Sequence, residues 1–207
     1  MAGTKARAVI LDRDGVLVVP EFREGRSFAP KRLKDLEFYP DAVQAVCRLK
    51  AMGFIVVVAT NQPDVGKGLV DEAVISTMHA RLREAMPVDD VEVCYDTRDA
   101  PTERRKPGAG MLFSAARNWN IDLGASYVVG DRATDIEAGV RAGCTNIFID
   151  RHYSAEPKPT AQSVTVLELA EAVRWIDTRE QAHKTTTPDG AAGSDATTGS
   201  GSEHGER

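Results

Sequence analysis

Short apolar, β-branched runs alternate with amphipathic stretches along most of this chain. That alternation restricts the fold more than any single residue does. Ala6 to Leu11, Phe54 to Ala59, Val91 to Cys94, Tyr127 to Val129 and Ile147 to Ile149 read as strands. Between and after them, Pro40 to Met52, Asp71 to Met86, Gly110 to Trp119, Asp135 to Arg141 and Leu167 to Ile176 read as helices. Val43, Val46, Cys47 and Leu49 recur at helical spacing in the first, and Val74, Met78, Leu82 and Ala85 share a face of the second. The unbroken run Phe54 to Ala59 suits a strand covered on both sides. The pattern predicts an α/β fold, a doubly wound parallel sheet wrapped by helices, with its ligand at the carboxyl ends of the strands.

Composition limits the partners and the domain count. With 207 residues the chain holds one ordinary domain, and 42% apolar residues can build its core without staples. Residues 1–183 are expected to be that domain. From Lys184 to Arg207 there is no Val, Ile, Leu, Met or aromatic residue, so 184–207 is expected to be a disordered tail. A net charge of −5 disfavours a nucleic-acid or anionic-membrane binder. No apolar run approaches a membrane span, and Lys5 and Arg7 interrupt any leader. Cys47, Cys94 and Cys144 make no disulfide framework. A cytoplasmic, monomeric protein is expected.

The polar residues at the predicted strand ends carry the chemistry. The first strand runs into Asp12-Arg13-Asp14-Gly15, the second into Thr60-Asn61-Gln62, and the fourth into Gly130-Asp131-Arg132-Ala133-Thr134-Asp135. Arg105-Lys106-Pro107 precedes a helix. Singly, each is a turn or cap signal. In this order, over roughly Ala6 to Ile149, they resemble the four motifs of the haloacid dehalogenase-type phosphatases. Within that superfamily they are similar to the branch that holds the heptose bisphosphate and histidinol-phosphate phosphatases.

The resemblance implies a capless Mg²⁺-dependent phosphomonoesterase that works through an aspartyl-phosphate. Asp12 is the implied nucleophile and Asp14 the general acid and base, while Lys106 neutralises charge. Thr60 and Asn61 would bind phosphate, and Arg105 would grip the sugar or its leaving phosphate. Asp12, Asp131 and the Asp14 carbonyl would hold the metal, with Asp135 in support. The implied substrate is a small phosphorylated sugar, D-glycero-D-manno-heptose 1,7-bisphosphate, cleaved to the 1- or the 7-phosphate according to anomer. Histidinol phosphate, or another small sugar phosphate, is the alternative.

Two departures qualify the resemblance. Relatives in this branch often carry a zinc loop, Cys-x-His then Cys-x-Cys. Here Cys94 stands in the first slot, Asp96 replaces His, and Thr102 and Arg104 replace the cysteine pair. No zinc is expected. Val16 and Val18 stand where Thr and Asn are frequent. The segment Pro20 to Pro40 is too short for a cap domain, and its cluster Arg23, Arg26, Lys31, Arg32 and Lys34 suits either a distal phosphate or a solvated flank. Rival readings are a receiver-like phospho-accepting signalling domain, a polynucleotide phosphatase and a sugar phosphomutase. The first places its acidic residue after a later strand, the second lacks a basic groove here, and the third needs a cap. Val65-Gly66-Lys67-Gly68 does not match a P-loop.

Overall fold

The computed structural model describes residues 4–186, with side chains to residue 183. Its strands are β1 (Ala8–Leu11), β2 (Glu21–Arg23), β3 (Arg26–Phe28), β4 (Ile55–Asn61), β5 (Asp90–Cys94), β6 (Tyr127–Gly130), β7 (Thr145–Ile149) and β8 (Val164–Val166). Its α-helices are α1 (Ala42–Ala51), α2 (Pro63–Gly66), α3 (Glu72–Ala85), α4 (Gly110–Trp119), α5 (Ala133–Ala142) and α6 (Leu169–Thr186). Six strands form one parallel sheet in the order β5-β4-β1-β6-β7-β8.

The chain starts in the middle of this sheet and winds to one side through β4 and β5, then to the other through β6, β7 and β8. The reversal lies at β1, whose carboxyl end therefore opens into the crevice between two diverging connections. Side chains alternate between two buried layers. Val9, Leu11, Val56, Val58, Val129 and Ile147 pack under α1, α6 and the end of α3. Ala8, Ile10, Val57, Ala59 and Val128 face Met111, Leu112 and Ala115 of α4.

Several expectations about faces and ends are corrected. Val43 and Cys47 are exposed on α1, which buries Ala42, Ala45, Val46 and Leu49. On α3 the buried face is Ile75, Met78, His79 and Leu82, while Ala85 is exposed and Val74 half-buried. Helix α6 begins at Leu169, because Leu167 is an exposed residue just beyond β8. It also runs on to Thr186, past both Ile176 and the expected boundary at 183/184. Polar residues continue it because Glu180 accepts from Tyr127 Oη at 2.7 Å and pairs with Arg7, which ties the helix to the sheet. The tail expected from 184 lies, for 187–207, outside the described residues.

Pro20 to Pro40 is not a featureless connection. It forms the β2–β3 hairpin and a 3₁₀ turn, Leu33–Asp35. Glu24 and Gly25 at the hairpin tip both have positive φ, 51° and 73°. Two such residues in succession make the tight turn whose twist matches paired strands. Among the described residues no helix is long and apolar enough to cross a membrane.

Candidate active site

Three strand ends and one helix start converge at the crevice. Asp12 follows β1, and its backbone N–H is anchored on Val129 O of β6 at 2.9 Å. Asp131 follows β6, and Asp135 lies in the first turn of α5. One carboxylate oxygen from each of Asp12, Asp131 and Asp135 lies within 4.8 Å of the others. Lys106 reaches them from the loop before α4. Its ammonium donates to Asp12 Oδ1 at 2.8 Å, to Asp135 Oδ1 at 2.6 Å and to the Ala59 carbonyl at 2.7 Å. The Lys106 backbone is itself fixed by Asn61, whose side chain accepts from Lys106 N and donates to Lys106 O, both at 3.1 Å.

All these charges are buried, so their number matters. Burial opposes the charge on Lys106, but the Asp12 and Asp135 carboxylates outweigh it and raise its pKa above that of free lysine. Burial, then the neighbouring carboxylates of Asp12 and Asp135, push Asp131 well above the usual carboxylate range. Asp135 is also raised, by burial first, with Lys106 opposing. Three carboxylates face one ammonium, and the excess negative charge suits a hard divalent cation. Asp131 Oδ1 supports that fit, since it is buried without a hydrogen-bond partner among the described residues. Asp135 has both oxygens engaged, Oδ1 by Lys106 and Oδ2 by the Arg132 backbone N–H at 3.0 Å, where it caps α5. A supporting place beside a cation fits it better than a direct one.

Asp14 is held by a different set of partners on the same loop. Arg13, whose side chain is fully buried behind the loop, meets it through Nη2 at 3.0 Å and Nε at 3.1 Å. Gln62 Nε2 donates to both Asp14 Oδ2 at 2.7 Å and Thr60 Oγ1 at 2.8 Å. Arg13 Nη1 lies 3.1 Å from His79 Nε2. Arginine only donates, so this nitrogen accepts and the imidazole proton sits on Nδ1. Burial, with help from Arg13 and Arg83, pushes His79 down to about 4, so the ring is neutral.

The structure thus brings together Asp12, Asp14, Thr60, Asn61, Lys106, Asp131 and Asp135. Arg105 is half-buried and turned to a different partner. Its Nη1 donates to the Asp96 carbonyl at 2.7 Å, and burial together with Arg98 and Arg132 depresses its pKa. In the loop with partial zinc spacing, Asp96 Oδ2 accepts from Thr102 N at 2.8 Å and Thr102 Oγ1 at 2.6 Å. Arg104 pairs with Glu92 at 2.8 Å. The basic cluster of the hairpin region is largely spent on ion pairs: Arg23 with Glu21, Lys31 with Asp64, Arg32 with Asp35.

Sequence reasoning assigned no role to Arg13, Gly15, Gln62, His79 or Tyr153. Arg13, Gly15 and Gln62 lay inside quoted motifs, so a strand-end position was their signal. His79 showed only as a polar residue on an apolar helix face. Gly15 has φ +93°, and a Cβ there would come within 1.8 Å of Asp131 Oδ2. The Tyr153 hydroxyl donates to that same oxygen at 2.7 Å, and burial and the Asp131 charge push its pKa far up.

Comparison with known proteins agrees with this geometry. Residues 103–167 match a family model described as HAD-hydrolase-like, where HAD stands for haloacid dehalogenase. The D-glycero-D-manno-heptose-1,7-bisphosphate 7-phosphatase of Thermosynechococcus vestitus is 34% identical over 193 residues, which cover 83% of this chain and 95% of that one. The D-glycero-beta-D-manno-heptose-1,7-bisphosphate 7-phosphatase of Pseudomonas aeruginosa is 34% identical over 149 residues, 68% of this chain and 79% of that one. A crystal structure of the D,D-heptose 1,7-bisphosphate phosphatase from B. bronchiseptica, complexed with magnesium and phosphate, superposes with a TM-score of 0.71. It is 26% identical and covers 84% of this chain and 99% of that one.

Proposed function

The chain belongs to the heptose bisphosphate phosphatases of the haloacid dehalogenase-like family, and from that membership we propose that it hydrolyses the 7-phosphate of D-glycero-D-manno-heptose 1,7-bisphosphate. Relatives named as 7-phosphatases favour release at position 7, leaving the 1-phosphate, over a choice of ester dictated by anomer. The observation that carries the reading is Lys106, bridging Asp12 and Asp135 beside an Asp131 oxygen that has no hydrogen-bond partner among the described residues.

Asp12 Oδ2 is the oxygen not engaged by Lys106, and it attacks phosphorus as the P–O bond to C7 breaks. Asp14 gives its proton to the departing alkoxide, which leaves as the 7-hydroxyl. Asp14 then takes a proton from water as that water attacks the aspartyl-phosphate. The P–O bond to Asp12 breaks, inorganic phosphate leaves, and both carboxyl groups return to their starting states. Lys106 carries positive charge throughout, next to the oxygens where negative charge gathers. Thr60 and Asn61 lie at the end of β4, where their hydroxyl and backbone N–H can hold phosphate oxygens. Mg²⁺, held by Asp12, Asp131 and the Asp14 carbonyl with Asp135 in support, supplies charge that offsets repulsion between carboxylates and a phosphate dianion. Arg105, with Arg98 and Arg132 nearby, meets the sugar or its second phosphate. The protein works in the cytoplasm, a reading supported by its three unpaired cysteines, and as a monomer.

The test compares catalytic efficiency on both anomers of the bisphosphate and on histidinol phosphate. The bisphosphate is expected to be preferred. A preference for histidinol phosphate above about tenfold, roughly 1.4 kcal/mol in the transition state, replaces this substrate assignment. Counting turnovers separates the enzyme from a receiver-like domain, which would stop after a single phosphorylation.

A further inference from the structure

We propose that Tyr153 decides how Asp131 binds a cation, and thereby which divalent cation the site prefers. This rests on the reading that Asp12, Asp131 and Asp135 surround a divalent cation. Tyr153 lies beyond β7 in the loop that leads to β8, remote in sequence from every motif residue. Its hydroxyl donates to Asp131 Oδ2 at 2.7 Å, while Asp131 Oδ1 is buried with no hydrogen-bond partner among the described residues. One oxygen is therefore capped and the other bare.

The surroundings hold this arrangement in place. The Gly15 backbone lies against the capped oxygen so closely that a Cβ would come within 1.8 Å of it. On its outer side the Tyr153 ring stacks on Phe22 of β2, with centroids 5.9 Å apart and planes at 25°. The ring is thus supported by the hairpin, and the hydroxyl is aimed at Oδ2.

A carboxylate whose Oδ2 is committed to a hydroxyl presents Oδ1 alone. Mg²⁺ demands near-octahedral geometry and accepts single oxygens, whereas Ca²⁺ takes six to eight ligands and often grips both oxygens of one carboxylate. A two-oxygen grip on Asp131 makes Oδ2 divide its electron density between the cation and the Tyr153 hydroxyl, which weakens that second bond. The hydroxyl therefore favours the smaller ion. Tyr153 touches neither substrate nor reacting atoms, so it is a positioning residue.

Titration calorimetry of Mg²⁺ and Ca²⁺ into metal-free protein, without substrate, tests this. The proteins are wild type, Tyr153→Phe and Tyr153→Leu, which lack the hydroxyl but differ in shape. Both variants should lose about tenfold or more in Mg²⁺ affinity, the usual range for removing such a supporting partner. Ca²⁺ affinity should fall by less than about threefold or rise, since the freed oxygen can now join the grip. Melting of the metal-free variants checks that they fold, and Tyr153→Phe keeps the ring on Phe22. Equal losses for both ions, expected of a merely structural tyrosine, would overturn the proposal, as would unchanged affinities or a shift confined to one variant. No saturable binding of either ion to wild type would also remove the cation reading beneath it. Normal wild-type binding with an unmoved ratio removes the proposal alone.

Discussion

Asp12 and Asp14 stand two positions apart on one loop, yet their pockets are built on opposite electrical plans. Around Asp12 three buried carboxylates share one ammonium. Around Asp14 the charges balance, with Arg13 against one carboxylate and a neutral His79 closing the far side. The first pocket is complete only with a cation from outside, and the second is complete from the chain alone. A single turn supplies both, because Arg13 between them points away from the crevice into the protein.

The largest expected effect comes from the unbalanced side. Asp12→Asn keeps the shape and removes the nucleophile, so phosphate release should fall by more than the roughly 10⁴-fold upper range of acid–base losses. Full activity in a single-turnover phosphate assay would break the proposed mechanism. Asp14→Asn should reduce kcat by about 10²–10⁴ while leaving Mg²⁺ affinity near wild type, because the backbone carbonyl remains. A large fall in metal affinity would show that the two pockets are not separate.

The balanced side carries its own pH signature. The folded-state pKa of His79 is depressed to about 4, so the folded protein binds fewer protons there than the unfolded chain does. Its contribution to stability is present above about pH 6.5 and is lost as pH falls from there through about 4. At pH 5 the loss is about 2 kcal/mol. His79→Gln, which can accept from Arg13 without titrating, should remove that part of the slope in urea midpoints measured at pH 7 and 5. An unchanged slope would mean that His79 charges freely.

Two smaller expectations concern regions outside both pockets. Elemental analysis after dialysis against a weak chelator should return far less than one zinc per chain, because Asp96, Thr102 and Arg104 are already engaged in hydrogen bonds and an ion pair. Truncation after Thr186 should leave activity and melting temperature nearly unchanged. The removed residues include no Val, Ile, Leu, Met or aromatic side chain. A large fall in either would give the segment a role.

Strands and motif positions were legible because a buried parallel strand is written locally, as an apolar run ending in a polar loop. Helix faces were less so. Ala42 and Ala45 are buried while Val43 and Cys47 are not, and alanine carries too little hydropathy to set a phase. The hairpin had a readable signal in Glu24-Gly25, obscured by its surrounding charges. Arg13 with His79, 66 positions apart, and Tyr153 with Asp131, 22 apart, had none. Such partners are chosen by the folded backbone, and no spacing in the chain announces them.

The β2–β3 hairpin has a consequence for exchange between relatives. It is fastened at three points. Arg132 donates to Ser27 O and Oγ at 2.5 and 2.6 Å, Ala155 N donates to Gly25 O at 3.0 Å, and Phe22 stacks on Tyr153. Two of the three lie on the loop after β7, and the third follows Asp131 directly. Hairpin and loop therefore form one transplantable module. A chimera that imports a hairpin lacking an aromatic residue at the Phe22 position leaves the Tyr153 ring without its stacking partner. Importing both segments together carries the joint across intact, so the support that Tyr153 gives Asp131 is inherited through paired grafts.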